Sequence, residues 1–214
     1  MYECEITAAY LIKNARADNK IDMAIHLKLP SGYEHKIQNT VLIDGKFEAP
    51  NKKTKEMELL FTYVIMSHII GAATEGKTLG DIWDSIQVKK IELYDFEKRS
   101  DVLTDVKMVT DLVGKKVLVG LQRKISNKKT KAGDSWVDLP ERKETLEFGV
   151  AGMVSDRRTY VEFNAEAEEA KELDAWEKRN AGKDWDAYKP VAGAASGTPE
   201  GVTGQSADTV IDFG

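Results

Sequence analysis

Along the first 45 residues, apolar and polar positions alternate with a period of two. In IDMAIHLKLP, Ile21, Met23, Ile25, Leu27 and Leu29 fall on one side of an extended chain, with polar or small neighbours between them. That is the pattern of a half-buried strand. CEITAAYLIK before it is rich in strand formers, and the polar turn NARADNK separates the two. YEHKIQNTVLI follows the turn Pro30-Ser31-Gly32 and ends at Asp44-Gly45, so a three-stranded antiparallel meander is predicted. The basic, proline-containing GKFEAPNKKTK reads as a loop.

The period then changes. In KEMELLFTYVIMSHIIGAA, Met57, Leu60, Phe61, Val64 and Ile65 recur near i, i+3, i+4, i+7 spacing, which predicts a helix stopping near Gly71. IQVKKIELYDF and KKVLVGLQRKI read as strands. VLTDVKMVTDLVG between them holds a short helix capped by Gly114, and SNKKTKAGDS reads as a long, flexible, hairpin-like loop. EFNAEAEEAKELDAWEKRNAGK predicts a charged helix ending at Gly182. After Pro190 the chain has almost no large apolar side chain. It cannot bury enough surface to offset the entropy of ordering.

A meander, a helix and further strands is the element order of an OB-fold, a small barrel that serves as a platform for single strands. The expected class is therefore mainly β with helices (α+β): a five-stranded antiparallel barrel with one inserted helix, a C-terminal helix and a disordered tail. The expected organisation is an OB-like domain over residues 1–164, the charged helix over 165–189 and the tail over 190–214.

Charge sharpens this picture. The chain has 214 residues and a net charge of −5. Residues 1–164 carry 26 Lys/Arg against 25 Asp/Glu, and residues 165–214 carry 5 against 11, so the body is near neutral and the C-terminal part is acidic. The single cysteine, Cys4, excludes a disulfide within the chain and lacks the partners of a zinc site. Neither a signal peptide nor a membrane span is legible, so a cytoplasmic protein is expected.

GAATEGKT, Gly71–Thr78, satisfies the phosphate-loop pattern G-x-x-x-x-G-K-[ST] letter for letter. That loop works when a buried strand delivers it and a helix starts at its Lys-Thr. Here a predicted helix precedes it, and LGDIWDSI is a poor helix opening. The expectation is a helix end and a polar loop; a nucleotide hydrolase using Lys77 and Thr78 is the alternative. His26, His35 and His68 show no metal spacing, and no nucleophile stands beside a base. No catalytic residue, cofactor or metal is assigned.

The segment 115–131, KKVLVGLQRKISNKKTK, holds seven Lys/Arg and no acid. Lysines guarding an edge strand are the plain reading. An electrostatic track for a phosphate backbone is the sharper one, with Lys115, Lys116, Arg123, Lys124, Lys128 and Lys129 as contacts, joined by Lys36, Lys52 and Lys53. Single-strand binders add rings on which bases stack. Tyr33, Tyr94, Phe96 and Trp136 are the candidates. Tyr94 and Phe96 share a strand face opposite in phase to Ile91 and Leu93, which compete for the core. The end of the chain, Asp212 and Phe213 after Val-Ile, resembles the tip with which single-stranded-DNA-binding proteins dock replication partners.

The block IQVKKIELYDFEKRSDVLTDVKMVTDLVGKKVLVGLQRKISNKKTKAGDSW resembles single-stranded-DNA-binding proteins of tailed bacteriophages, through "I-x-L-Y-D-F", then "D-V-x-x-x-x-x-L-x-G-K-x-V", then a Lys-rich loop. The later EAKELDAWEKRNAGKDWD, with Trp176 ahead of Gly182-Lys183, resembles their C-terminal helix and "W-x-x-x-x-x-G-K" element. The resemblance covers roughly residues 55–185. It implies an OB-like core and a non-enzymatic role coating single-stranded DNA in phage replication, recombination or repair in the host cytoplasm. Replication or recombination partners would dock through the tail, and a homo-oligomer is compatible. A protein-interaction adaptor, its basic face meeting an acidic partner, and a transcription regulator acting on single strands are compatible with the same features.

Overall fold

The computed structural model describes residues 1–51, 53–95, 98–133 and 135–191. Over the described residues the chain is mainly β with three α-helices, and its principal sheet is largely antiparallel. It divides into two compact units, one of Met1–Leu121 with Phe148–Ala181, the other of Gln122–Glu147 with the segment beginning at Gly182.

In the first unit the predicted meander forms. Strands β1 (Tyr2–Lys13), β2 (Lys20–Lys28) and β3 (Glu34–Ile43) pair antiparallel in order, with Tyr10 opposite Ala24 and Ile25 opposite Ile37. Asp44 and Gly45, both at positive φ, end β3 as the sequence predicts. A short hairpin, β4 (Glu48–Pro50) and β5 (Met57–Leu59), replaces the expected loop. Helix α1 (Phe61–Ala73) therefore starts four residues later than Met57, and its core stripe is Met66, Ile69, Ile70 and Ala73. Met57 and Phe61, predicted on that stripe, are exposed. α1 packs on β3, where Asn39 Nδ2 donates to Met66 Sδ and Thr62 Oγ1 donates to the Thr40 carbonyl.

A second hairpin follows, β6 (Ile86–Asp95) and β7 (Ser100–Val109), paired along its whole length. The short helix expected before Gly114 is only a single 3₁₀ turn, Thr110–Leu112, because β7 extends to Val109. β7 joins β1 at Tyr10 and Leu11. Tyr10, Ala24, Val106 and Met108 form a second core layer, with Ile91 and Leu93 packed against it. β2 is thus covered on both faces, and not only on the Met23–Ile25–Leu27 side that its alternation shows. β1 bends at an irregularity between Ile6 and Ala8, so its first residues pair instead with β8 (Lys116–Ala132), Tyr2 opposite Val119. Among the described residues these ladders do not close into a ring.

The predicted C-terminal helix is two helices, α2 (Tyr160–Asn164) and α3 (Glu172–Asn180). α2 ends where Glu166 takes a positive φ of 50°, which a helix cannot continue through. α3 docks on glycines. A Cβ at Gly120 would lie 2.7 Å from the Trp176 ring, one at Gly149 would lie 2.5 Å from it, and one at Gly152 would lie 2.4 Å from Leu173. Only bare backbone admits these side chains so closely.

The second unit is a ribbon. β8 runs on to Ala132, through residues that the sequence reads as loop, and β9 (Ser135–Gly152) returns beside it. A two-residue strand, β10 (Trp185–Asp186), lies parallel on the other edge of β8, with Trp185 opposite Lys124. Asn127 fixes this edge: its amide nitrogen donates to the Leu139 and Lys189 carbonyls, and its oxygen accepts from Lys189 N–H.

Candidate nucleic-acid interface

The phosphate-loop match is accounted for by packing. Gly71–Ala73 is the last turn of α1, and Thr74 N–H closes it onto Ile70 O. A Cβ on Gly71 would sit 2.0 Å from the Tyr160 ring, and one on Gly76 would sit 2.4 Å from Phe163, at a φ of +99° that also favours glycine. Both motif glycines therefore admit the rings of α2. Thr78 N–H and Oγ1 are bonded to Asp81 Oδ2, at 2.8 and 2.7 Å. A helix end precedes the lysine where a phosphate loop needs a strand, and no α-helix starts at Thr78. Gly71→Ala is expected to cost about 1–3 kcal/mol by overpacking, read as a lower urea midpoint with an unchanged m-value.

The expected contact residues divide between the units. In the first, Tyr33 lies exposed in the β2–β3 turn, and Tyr94 is exposed on β6 as the phase argument anticipates. Lys53 is exposed in the β4–β5 connection. Lys36, on β3, holds its Nζ 5.8 Å from the Tyr10 ring centroid, and Tyr10 Oη bonds His26 Nε2 at 3.2 Å. Burial pushes the Lys36 ammonium below its ordinary value, partly countered by Asp22. Burial and then Lys36 hold the His26 ring down, so it stays neutral near pH 7. Lys115 and Lys116 border a cleft of about 560 Å³ with Lys77, but Glu75 and Asp111 line it too, and Lys116 Nζ is paired with Glu3 at 2.7 Å. Lys52, Phe96, Asp212 and Phe213 lie outside the described residues.

The second unit brings the others together: Arg123, Lys124, Lys128 and Lys129 on β8, and Trp136 near the start of β9. The sequence shows seven cations without an acid, but β9 supplies the acids across the ribbon. Arg123 meets Glu144, Lys124 meets Glu147, Lys128 meets Glu141 at 2.7 Å, and Lys129 meets Asp138 at 3.5 Å. Arg123 also donates from Nε to Asp184 at 2.9 Å. That bond and the Asp184 charge raise the Arg123 pKa above its ordinary value. The cations are a laced ribbon rather than an unopposed stripe. Exposed pairs of this kind are weak and are screened by salt.

Rings accompany these cations. Trp136 is 64% exposed and Trp185 is 49% exposed. Lys124 Nζ stands 4.1 Å from the Trp185 ring, and the Arg142 guanidinium 4.8 Å from the ring of Tyr188, whose Oη donates to Pro140 O. Sequence alone does not single out Trp185, Tyr188 and Arg142; the aromatic spacing in DWDAYK is a signal for the first two, and none marks Arg142.

Among the described residues, no three His, Cys, Asp or Glu side chains are grouped to hold a metal ion, and no helix is long and apolar enough to cross a membrane. No family model, curated protein or solved structure matches this chain.

Proposed function

We propose that this chain binds single-stranded DNA without sequence preference, and that the β8–β9 ribbon with residues 182–191 is its main contact. The observation that carries the reading is the set of rings and cations on one unit: Trp136 exposed, Trp185 under Lys124, and Tyr188 under Arg142. Unpaired bases stack on such rings whatever their identity, and the cations meet the backbone. The OB-type barrel belongs to this proposal, supported by the order of meander, α1 and further strands. So do the role in phage replication, recombination or repair in a host cytoplasm, and partner docking through Asp212 and Phe213. The phage role rests on the resemblance of the 55–185 block, and the docking on the likeness of the Asp212-Phe213 end to the tip of single-stranded-DNA-binding proteins.

Fluorescence anisotropy with labelled oligo-dT and a duplex of equal length tests the reading. Tight, salt-sensitive binding to the single strand and much weaker binding to the duplex is the expected result. Trp136→Ala and Trp185→Ala should each weaken oligo-dT binding about tenfold, the effect of losing one stacked base. Equal affinity of the wild type and both variants would remove the ribbon as the contact.

The ion pairs give a second test. Lys128→Ala with Lys129→Ala should flatten the slope of log K against log salt by about 1.4, at about 0.7 per phosphate contact on a single strand. Asp138→Asn with Glu141→Gln should act oppositely and tighten binding, because those lysines no longer have to leave a partner. Binding weakened by the second pair of changes would mean that the acids, not the lysines, face the ligand.

A further inference from the structure

The β6–β7 hairpin leaves one long strand edge open. Among the described residues β6 pairs only with β7, so the outer edge of Ile86–Asp95 has no strand beside it. Such an edge is a template for another strand. Its faces differ. Ile91 and Leu93 pack against the Tyr10 layer. Val88, Lys90, Glu92 and Tyr94 occupy the other face, where Val88 is 71% and Tyr94 53% exposed, and Leu103 of β7 stands exposed opposite Glu92. This row of apolar, basic, acidic and apolar residues is complementary to itself when reversed.

We propose that β6 pairs with β6 of a second copy of this chain, antiparallel and centred on Ile91. A two-fold axis perpendicular to the joined sheet keeps every residue on its own face and sets Ile91 opposite Ile91. In that register Lys90 of each copy faces Glu92 of the other, and Val88 faces Tyr94. Directly opposed pairs of these kinds stabilise a sheet, and like charges directly opposed destabilise it. Moving the axis one residue toward the strand start sets Lys90 against Lys90; moving it one residue the other way sets Glu92 against Glu92. The charges thus select the Ile91 register over both adjacent ones, and a second copy supplies this order of side chains by itself. The inference is independent of DNA binding.

Sedimentation equilibrium of the full chain, up to about millimolar concentration, the weak end of specific association, is the test. The wild type is expected to form dimers. Lys90→Glu and Glu92→Lys should each weaken dimerisation by about tenfold or more, because each sets two like-charged pairs across the axis. The double exchange Lys90→Glu with Glu92→Lys should restore it. An equimolar mixture of the two single variants should also dimerise, since one chain then carries only acids at these positions and the other only lysines. Thermal melts establish that each variant is folded. A wild type that stays monomeric, a dimer indifferent to both single changes, or a mixture that fails to pair would each overturn the proposal.

Discussion

Trp176→Ala is expected to destabilise the protein by about 3 kcal/mol, the lower part of the range for losing a packed tryptophan. The ring is only partly buried, which sets the lower figure. It still anchors α3 beside the buried Leu173, because the bare backbone at Gly120 and Gly149 lets the ring lie directly against the strands. This close contact also predicts how the two sides depend on each other. In the wild type Gly149→Ala pushes a methyl group to 2.5 Å from the indole, so the ring or the strand must move. Once Trp176 is alanine that clash is gone. Gly149→Ala should therefore cost about 1–3 kcal/mol alone and far less in the Trp176→Ala background, giving a large coupling in a double-mutant cycle. Urea unfolding of the four chains measures it. Additive losses would mean that the glycine is needed for its backbone and not for its missing side chain.

The resemblance already picks out Trp176 ahead of Gly182-Lys183, but the sequence does not show what the ring touches. Its partners, Gly120 and Gly149, are 56 and 27 residues away. What is legible is local. The β2 alternation, the Asp44-Gly45 stop and the outward phase of Tyr94 each depend on a few neighbouring residues. α1 loses its first turn because Met57–Leu59 pairs with β4, and ladder bonds outweigh a helical spacing of apolar residues. The ribbon is hidden for a different reason. SNKKTKAGDS has no apolar alternation because β8 there is a solvent-facing strand held by Asn127 and by charge pairs to β9. Those acids, Asp138, Glu141 and Glu147, stand in a segment with no clear period of its own, so the lysines look unopposed until the two strands are set side by side.

Acidification is expected to loosen α2 and α3 from the sheet through a single carboxylate, Glu162. It lies buried, with Oε2 accepting Thr159 N–H at 2.9 Å and Oε1 accepting Lys171 and Glu172 N–H at 2.6 and 2.8 Å. It thereby completes the capping box of α2 and satisfies free amides at the start of α3, which otherwise has no side-chain cap. Burial pushes its pKa up, but the bonds from Thr159, Lys171 and Glu172 together outweigh it, and the net shift is below the ordinary glutamate value of 4.5. A folded-state pKa below the unfolded one means that the unfolded chain binds the proton more readily. The stabilisation is then complete above about pH 4.5 and drains away as pH falls through the lower folded value. Asp22, inside the sheet, gives the overall stability the same direction of pH dependence without touching these helices: burial opposes it, but bonds from Asn14, Gln38 and Thr40 bring its pKa below the ordinary aspartate value. Glu162→Gln turns an amide N–H₂ toward donors at one of the two oxygens, and should cost about 2–3 kcal/mol at pH 7, the scale of losing charge-assisted bonds inside a protein. The gap between wild type and variant should close as pH falls, because protonation removes from the wild type what the substitution has already removed. A gap unchanged between pH 7 and pH 3 would mean that Glu162 holds the two helices by shape and not by charge.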